Sequence, residues 1–227
     1  MREVLAAVPA RQSISPKSRL ASVLSAGTRR RLSLHMAGRV LAVVEEVGAR
    51  PLVLAADRVV MDWAEQRGWE AIEDREPSLN AAAAGAVEMA AQLHMSWIVV
   101  HADLPLLSPM DIAAAMGALR SGGWVLAPSS DGGTSLIGGP GGAGLDFAYG
   151  KASFHRHLSL LRHHCPQVVH RLGFALDLDR PSDLQAALSH PRGAWLASFI
   201  SETEMKRLEE TERNRFGTPS SPRLRSG

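Results

Sequence analysis

The 227-residue chain, 45% hydrophobic and 21% charged, has apolar material for one sizeable core and too little length for two comfortable ones. Its formal charge of +2 is slight, and its basic concentrations, Arg29-Arg30-Arg31 and the last residues with Arg223 and Arg225, lack interleaved aromatics or a DNA-binding motif, so neither nucleic acid nor a membrane is an expected partner. A single cysteine, Cys165, rules out an internal disulfide; no run reaches the roughly 18 apolar residues of a membrane span, the opening apolar run is too short for a signal segment, and a cytoplasmic setting is expected.

EVLAAVP (3–9) reads as a short buried strand, followed by a loop with Ser13, Ser15 and Pro16. Residues 28–47 carry apolar side chains at helical spacing, with Thr28 as the expected N-cap. PLVLAA (51–56) is a second strand, 58–67 a helix, and the stretch near Trp69–Ile72 a third, short strand. The Ala-rich 78–93 predicts a closely packing helix. SWIVV (96–100), apolar without alternation, has the character of a strand buried on both faces.

A helix over 110–120 and a strand over 124–128 continue the alternation, which implies an α/β layered fold with a mostly parallel central sheet. Residues 129–145 are too glycine-rich to be regular, 151–164 resume helical spacing, 168–179 read as extended chain, and 181–188 as a helix with Pro181 at its start. Residues 201–227 form a charged segment, helical at first, that runs into a flexible C-terminal tail.

Ligands of such sheets lie outside the carboxyl ends of the strands, and Asp103 stands at one such end. Asp177 and Asp179, two apart in extended chain, face one side together. Three carboxylates converging there would repel one another, and a hard divalent cation relieves the repulsion. The competing reading makes Asp103 a turn cap before Pro105 and Asp179 the cap of the helix opening at Pro181.

Arg11, Lys17 and Arg19 in the loop after the first strand suit a polyphosphate, although loop bases are often merely solvated. Neither a GxGxxG nor a P-loop pattern is present. The glycines of 132–150 permit close approach of backbone amides to an anion, with Thr134 and Ser153 as hydroxyl donors. No histidine spacing matches a zinc site, so the histidines are expected on the surface or at caps, and Cys165 as a small half-buried side chain.

VPARQSISPKSRL, SLNAA, VVHADLPLL, DGGTS, FAYGKASFHRH and DLDRPSDL occur in the order shown by the phospho-acid guanylyltransferases of deazaflavin coenzyme F420 biosynthesis, and the chain resembles that family from residue 3 to about 190. The resemblance implies a nucleotidyltransferase domain over 1–200, similar to the GT-A sugar-nucleotide enzymes, with GTP as donor, phosphoenolpyruvate or 2-phospho-L-lactate as acceptor and Mg²⁺ as cofactor. It implies that Asp103, Asp177 and Asp179 hold metal, that Lys17, Arg19 and Arg11 meet the nucleotide phosphates, and that Leu79 and Asn80 serve the base. Thr134, Gly150 and Ser153 would cradle the acceptor.

Three departures stand out. Arg11 replaces the family's usual lysine, Pro77-Ser78 precede the Leu79-Asn80 pair where a glycine is usual, and the FGPGS motif appears as Tyr149-Gly150-Lys151-Ala152-Ser153. The rival readings are a related transferase acting on a molybdopterin or sugar phosphate, and a non-catalytic nucleotide-binding protein. A homodimer is expected only on general grounds.

Overall fold

The computed structural model describes residues 3–10, 17–73, 78–120 and 123–215. Arg11, Pro77 and the tail from residue 216 lie outside the described residues. The strands are β1 (Val4–Ala10), β2 (Arg50–Ala55), β3 (Glu70–Glu73), β4 (Ser96–Val100), β5 (Val125–Pro128), β6 (Thr134–Gly139) and β7 (Gln167–Val168). The helices are α1 (Ala26–Glu46), α2 (Arg58–Glu65), α3 (Leu79–Gln92), α4 (Pro109–Arg120), α5 (Ser153–Leu160), α6 (Leu172–Ala175), α7 (Pro181–Leu188) and α8 (Glu202–Arg215).

The strands form one sheet in the order β3-β2-β1-β4-β6-β5-β7. All pairings are parallel except the two that β6 makes. Successive side chains of a strand point to opposite faces, and β1 divides accordingly. Val4, Ala6 and Val8 pack with Val40, Leu41 and Val44 of α1 and with Ile112 of α4, whereas Leu5 and Ala7 pack with the alanines of α3. The sheet is therefore a middle layer between two helical layers. The chain leaves β1 toward β2 on one side, and β4 lies on the other, so the strand order reverses between β1 and β4.

Four segments differ from the sequence expectations. The cap of α1 is Ser25, whose Oγ accepts from the Thr28 amide at 3.2 Å, so the helix begins before Thr28. The glycine-rich stretch contains β6, because glycine is what lets that strand lie close: a Cβ on Gly138 would stand 2.7 Å from Ile98 Cγ2. The extended reading of 168–179 is broken by α6, which buries Phe174 completely and presents its carbonyl to Ser135 Oγ at 2.6 Å.

The fourth is the charged C-terminal segment. Residues 202–215 are a helix docked on the main body by Met205 and buried Leu208, in a cluster with Leu20, Leu32, Leu184 and Leu196. Glu204 fixes the dock: Oε1 accepts from the Ser25 amide at 2.8 Å and Oε2 from the Ser201 amide at 3.0 Å. Burial works against its charge, but these bonds hold it down at about 2. Cys165, expected half-buried, is exposed. Among the described residues no helix is long and apolar enough to cross a membrane.

Candidate active site at the ends of β1 and β4

The strand-order reversal places the carboxyl ends of β1 and β4 side by side, the usual position of a ligand crevice in an open α/β sheet. A cavity of about 290 Å³ opens there, walled by Pro9, Ala10, Lys17, Leu79, His101 and Asp103 and by one face of α1. Lys17 sits in the left-handed region (φ 50°) at the start of a short 3-10 turn, Ser18–Leu20. Its ammonium lies 3.0 Å from Asp103 Oδ2 and 3.5 Å from Asp179 Oδ1.

Asp179 reaches this point through backbone pairing: the Leu178 amide donates to the Asp103 carbonyl at 3.0 Å, which stitches the 176–179 segment to the exit of β4. Leu178 is buried, and its flanking aspartates are half-buried. Arg19 adds a second cation, 3.5 Å from Asp179 Oδ2. Asp179 does not cap α7; Asp183 does, accepting from the Asp179 and Arg180 amides at 3.1 and 2.7 Å.

The electrostatics are crowded. Burial pulls Lys17 toward neutrality, but Asp103 and Asp179 outweigh it and hold the ammonium above the ordinary lysine value. Burial likewise opposes the charge of Asp103, and Lys17 and His101 keep it below the usual carboxylate range. Asp177 is pushed up to about 6 by burial and by Asp103, Asp131 and Asp179. Asp131, in the β5–β6 turn, is held low by the Ser129 hydroxyl, against partial burial and with help from the Gly133 amide.

One demand is left over. The Asp103 side chain keeps 27% of its surface exposed, yet its Oδ1 touches neither solvent nor a hydrogen-bond partner among the described residues. A buried carboxylate oxygen without a donor is costly, and a hard cation answers it. Asp103, Asp177 and Asp179 offer oxygen donors only, the kind that a hard cation such as Mg²⁺ takes. In this conformation no three described His, Cys, Asp or Glu residues are grouped to share an ion, and the Lys17 ammonium lies between two of the carboxylates.

Thr134, Ser153 and Gly150 form a second group. Thr134 starts β6 and Ser153 starts α5, and Ser153 Oγ lies 3.2 Å from Thr134 Oγ1. Gly150 has φ +112°, a backbone conformation that glycine adopts without strain. Ala152 is left-handed too (φ 54°), so alanine does make the turn, at a steric cost. Asn80 Oδ1 accepts from the Tyr149 amide at 2.8 Å, tying the start of α3 to this loop, while Leu79 lines the cavity.

Sequence reasoning missed three residues. His157, fully buried rather than on the surface, accepts from the Ala148 amide through Nε2 (2.9 Å) and contacts Thr134 Oγ1 through Nδ1 (2.9 Å). Its Nε2 must be bare to accept, so Nδ1 carries the proton and donates to Thr134. Burial first, then Arg156 and His101, lower it to about 4 and keep it neutral. The Thr134–Ser153 pair shares one hydrogen bond, which leaves one hydroxyl proton to offer a ligand.

The other two are His101 and Tyr149, whose rings stand 5.4 Å apart. The signals were faint: His157 follows Ser153 by one helical turn, and His101 precedes Asp103 by two residues along the strand direction.

Residues 4–217 match the family model described as "Guanylyl transferase CofC like". The chain is 34% identical over 188 residues to the phosphoenolpyruvate guanylyltransferase of Rubrobacter xylanophilus, covering 80% of this chain and 91% of the relative. It is 31% identical over 216 residues to the 3-phospho-D-glycerate guanylyltransferase of Phenylobacterium zucineum (91% and 98% covered). It is 27% identical over 199 residues to the 2-phospho-L-lactate guanylyltransferase of Methanothermobacter thermautotrophicus (86% and 88% covered). Among solved structures, one described as a nucleotide-diphospho-sugar transferase from Desulfovibrio desulfuricans superposes with a TM-score of 0.70 at 15% identity, covering 96% of this chain and all of the other, a likeness of fold.

Proposed function

The chain belongs to the CofC-like guanylyl transferase family, and from that premise we propose that it moves GMP from GTP to the phosphate of a small phospho-carboxylate, phosphoenolpyruvate or 2-phospho-L-lactate, in deazaflavin coenzyme biosynthesis. The observation that carries the reading is the Lys17 ammonium joining Asp103 and Asp179 at the strand-order reversal, because it sets a phosphate-binding cation beside carboxylates at a ligand crevice. Transfer to a molybdopterin or sugar phosphate, and nucleotide binding without catalysis, are not favoured.

An oxygen of the acceptor phosphate attacks the α-phosphorus of GTP; the new P–O bond forms as the bond to the α–β bridging oxygen breaks, and pyrophosphate leaves with that electron pair. The attacking oxygen is anionic near neutral pH, so no side chain need remove a proton. Catalysis then lies in positioning and in neutralising charge. Lys17 and Arg19 bind the donor phosphates, joined by Arg11, and Leu79 and Asn80 stand on the base side.

Asp103, Asp177 and Asp179 would hold Mg²⁺, which when bound neutralises charge developing on the phosphate oxygens. Thr134, Ser153 and Gly150 hold the acceptor, and the neutral His157 keeps the hydroxyl pair in donating form. The partners are then GTP and a phospho-carboxylate, in the cytoplasm, with no role for nucleic acid or membrane; a homodimer is the assembly we would look for first.

The test is pyrophosphate release from GTP and Mg²⁺ with each of phosphoenolpyruvate, 2-phospho-L-lactate and 3-phospho-D-glycerate, beside ATP and CTP. Release with GTP and one phospho-acid is the expected result. Silence with all three, from folded protein that binds GTP, would overturn the reading.

A further inference from the structure

The face of α1 that runs from Arg31 through Gly38 to Ala42 lines a groove of about 490 Å³, a volume in the range of small-ligand sites. Trp63, Arg67 and Trp69 form one bank, and Phe199, at the end of the 3-10 stretch Pro191–Phe199, forms the other. Leu34 is the one described residue that lines both this groove and the catalytic cavity, so the two are neighbours and distinct.

The groove is electrically one-sided. Arg31, Arg39 and Arg67 line it, and no described carboxylate does. Among the described residues none of the three makes a salt bridge, whereas Lys17, Arg19, Arg50, Arg58 and Arg192 each meet an acid. Two of these guanidiniums are set down on rings: Arg39 lies 4.7 Å from the centroid of Trp195 and Arg67 5.0 Å from that of Trp63. Stacking arranges a planar donor fork in advance, so less freedom is lost when it meets an anion.

The rest of the groove is aromatic. His35 stands 4.5 Å from Phe199 and 5.1 Å from Trp195, ring to ring. Partial burial first, then Arg39 and Arg67, lower its imidazole, which therefore enters as a neutral ring. Gly38 keeps the floor open. A Cβ there would stand 3.5 Å from Trp63 and 3.6 Å from Trp69, ordinary contact distances, so packing alone would admit alanine. Glycine weakens a helix interior relative to alanine, and what it leaves here is space beside two indole edges.

We propose that this groove is a second ligand site, for a planar aromatic molecule that carries a phosphate or carboxylate: its ring lies against Trp63, Trp69 and His35, and its anion is taken by Arg31, Arg39 and Arg67. Rings alone would suit any flat apolar molecule and arginines alone any anion; interleaved, they select a ligand that is both. The site is built from its own residues and goes beyond the reaction proposed above, on which it does not depend.

Flavin mononucleotide is the probe, because it joins a planar ring to a phosphate and its fluorescence is quenched when the ring stacks on tryptophan. Titrated into wild type it should bind in the micromolar range, with riboflavin, which lacks the phosphate, and inorganic phosphate, which lacks the ring, each about 10-fold weaker or worse. The double variant Arg39→Gln, Arg67→Gln and the floor-filling Gly38→Leu should each weaken the probe by about 10-fold or more. The double variant should keep the GTP KM and pyrophosphate release within about twofold of wild type, since neither arginine lines the catalytic cavity. Lys17→Met should bind the probe as wild type does.

No binding of flavin mononucleotide below about 1 mM overturns the proposal. Riboflavin or inorganic phosphate binding as tightly as the probe overturns it as well, the first leaving an apolar patch and the second a plain anion site. Binding lost in Lys17→Met and kept in the arginine variant would put the probe in the catalytic cavity and defeat the second site. A dimer in light scattering that the arginine variant dissociates would give the groove to a second copy of the chain instead.

Discussion

Glu204, buried in the first turn of α8, and Asp103, half-buried past the end of β4, are both carboxylates, and the protein treats them in opposite ways. Glu204 is surrounded by donors: the amides of Ser25 and Ser201 and the Ser201 hydroxyl satisfy both of its oxygens, and it is held at about 2. Asp103 has Lys17 on one oxygen and nothing among the described residues on the other, and its neighbour Asp177 is pushed up to about 6 by burial and by the carboxylates around it. A satisfied buried charge fastens two elements together. An unsatisfied one marks where the protein expects something that it does not itself supply.

That contrast can be broken at either end. The largest effect belongs to Asp103→Asn, which should lower pyrophosphate release on the order of 10³-fold while the circular dichroism and unfolding midpoint stay near wild type. Lys17→Met comes next: loss of a charged contact to the donor phosphates should raise the GTP KM about 10- to 100-fold in steady-state kinetics, the range expected from about 1.5–3 kcal/mol for a hydrogen bond to a charged group.

Glu204→Gln should leave turnover within twofold and destabilise the fold by about 2 kcal/mol, a drop in midpoint of roughly 4–8 °C for a chain of this size. The pH dependence has a fixed sign. Glu204 is depressed in the folded state, so its contribution is complete above its ordinary value of 4.5 and is lost as pH falls from there toward 2. The wild-type midpoint should fall more steeply than that of Glu204→Gln across this window, and thermal melts at stepped pH will measure it. The smallest effect is Ala152→Gly, which relieves a left-handed alanine and should raise stability by about 1 kcal/mol in denaturant unfolding.

The sequence made legible what depends on local periodicity. The apolar run Ser96–Val100 ending before Asp103 is a buried strand, and the alternation of strands and helices predicted the layered sheet. It concealed what depends on distant partners. Lys17 and Asp103 are 86 residues apart, and nothing in either neighbourhood says that they touch. β6 was hidden because the glycines that let it pack against Ile98 and Trp124 look like loop residues when counted alone. The docking of α8 was masked by its charge, since Met205 and Leu208 are a thin apolar stripe in an otherwise polar helix. His157 and Tyr149 carried no spacing that distinguishes a buried, oriented ring from an exposed one.

The most direct test takes two measurements on the same two proteins: pyrophosphate release and unfolding midpoint for Asp103→Asn and Glu204→Gln beside wild type. The account predicts a crossed result, with Asp103→Asn stable and nearly inactive, and Glu204→Gln active and less stable. Near-normal turnover in folded Asp103→Asn would contradict it.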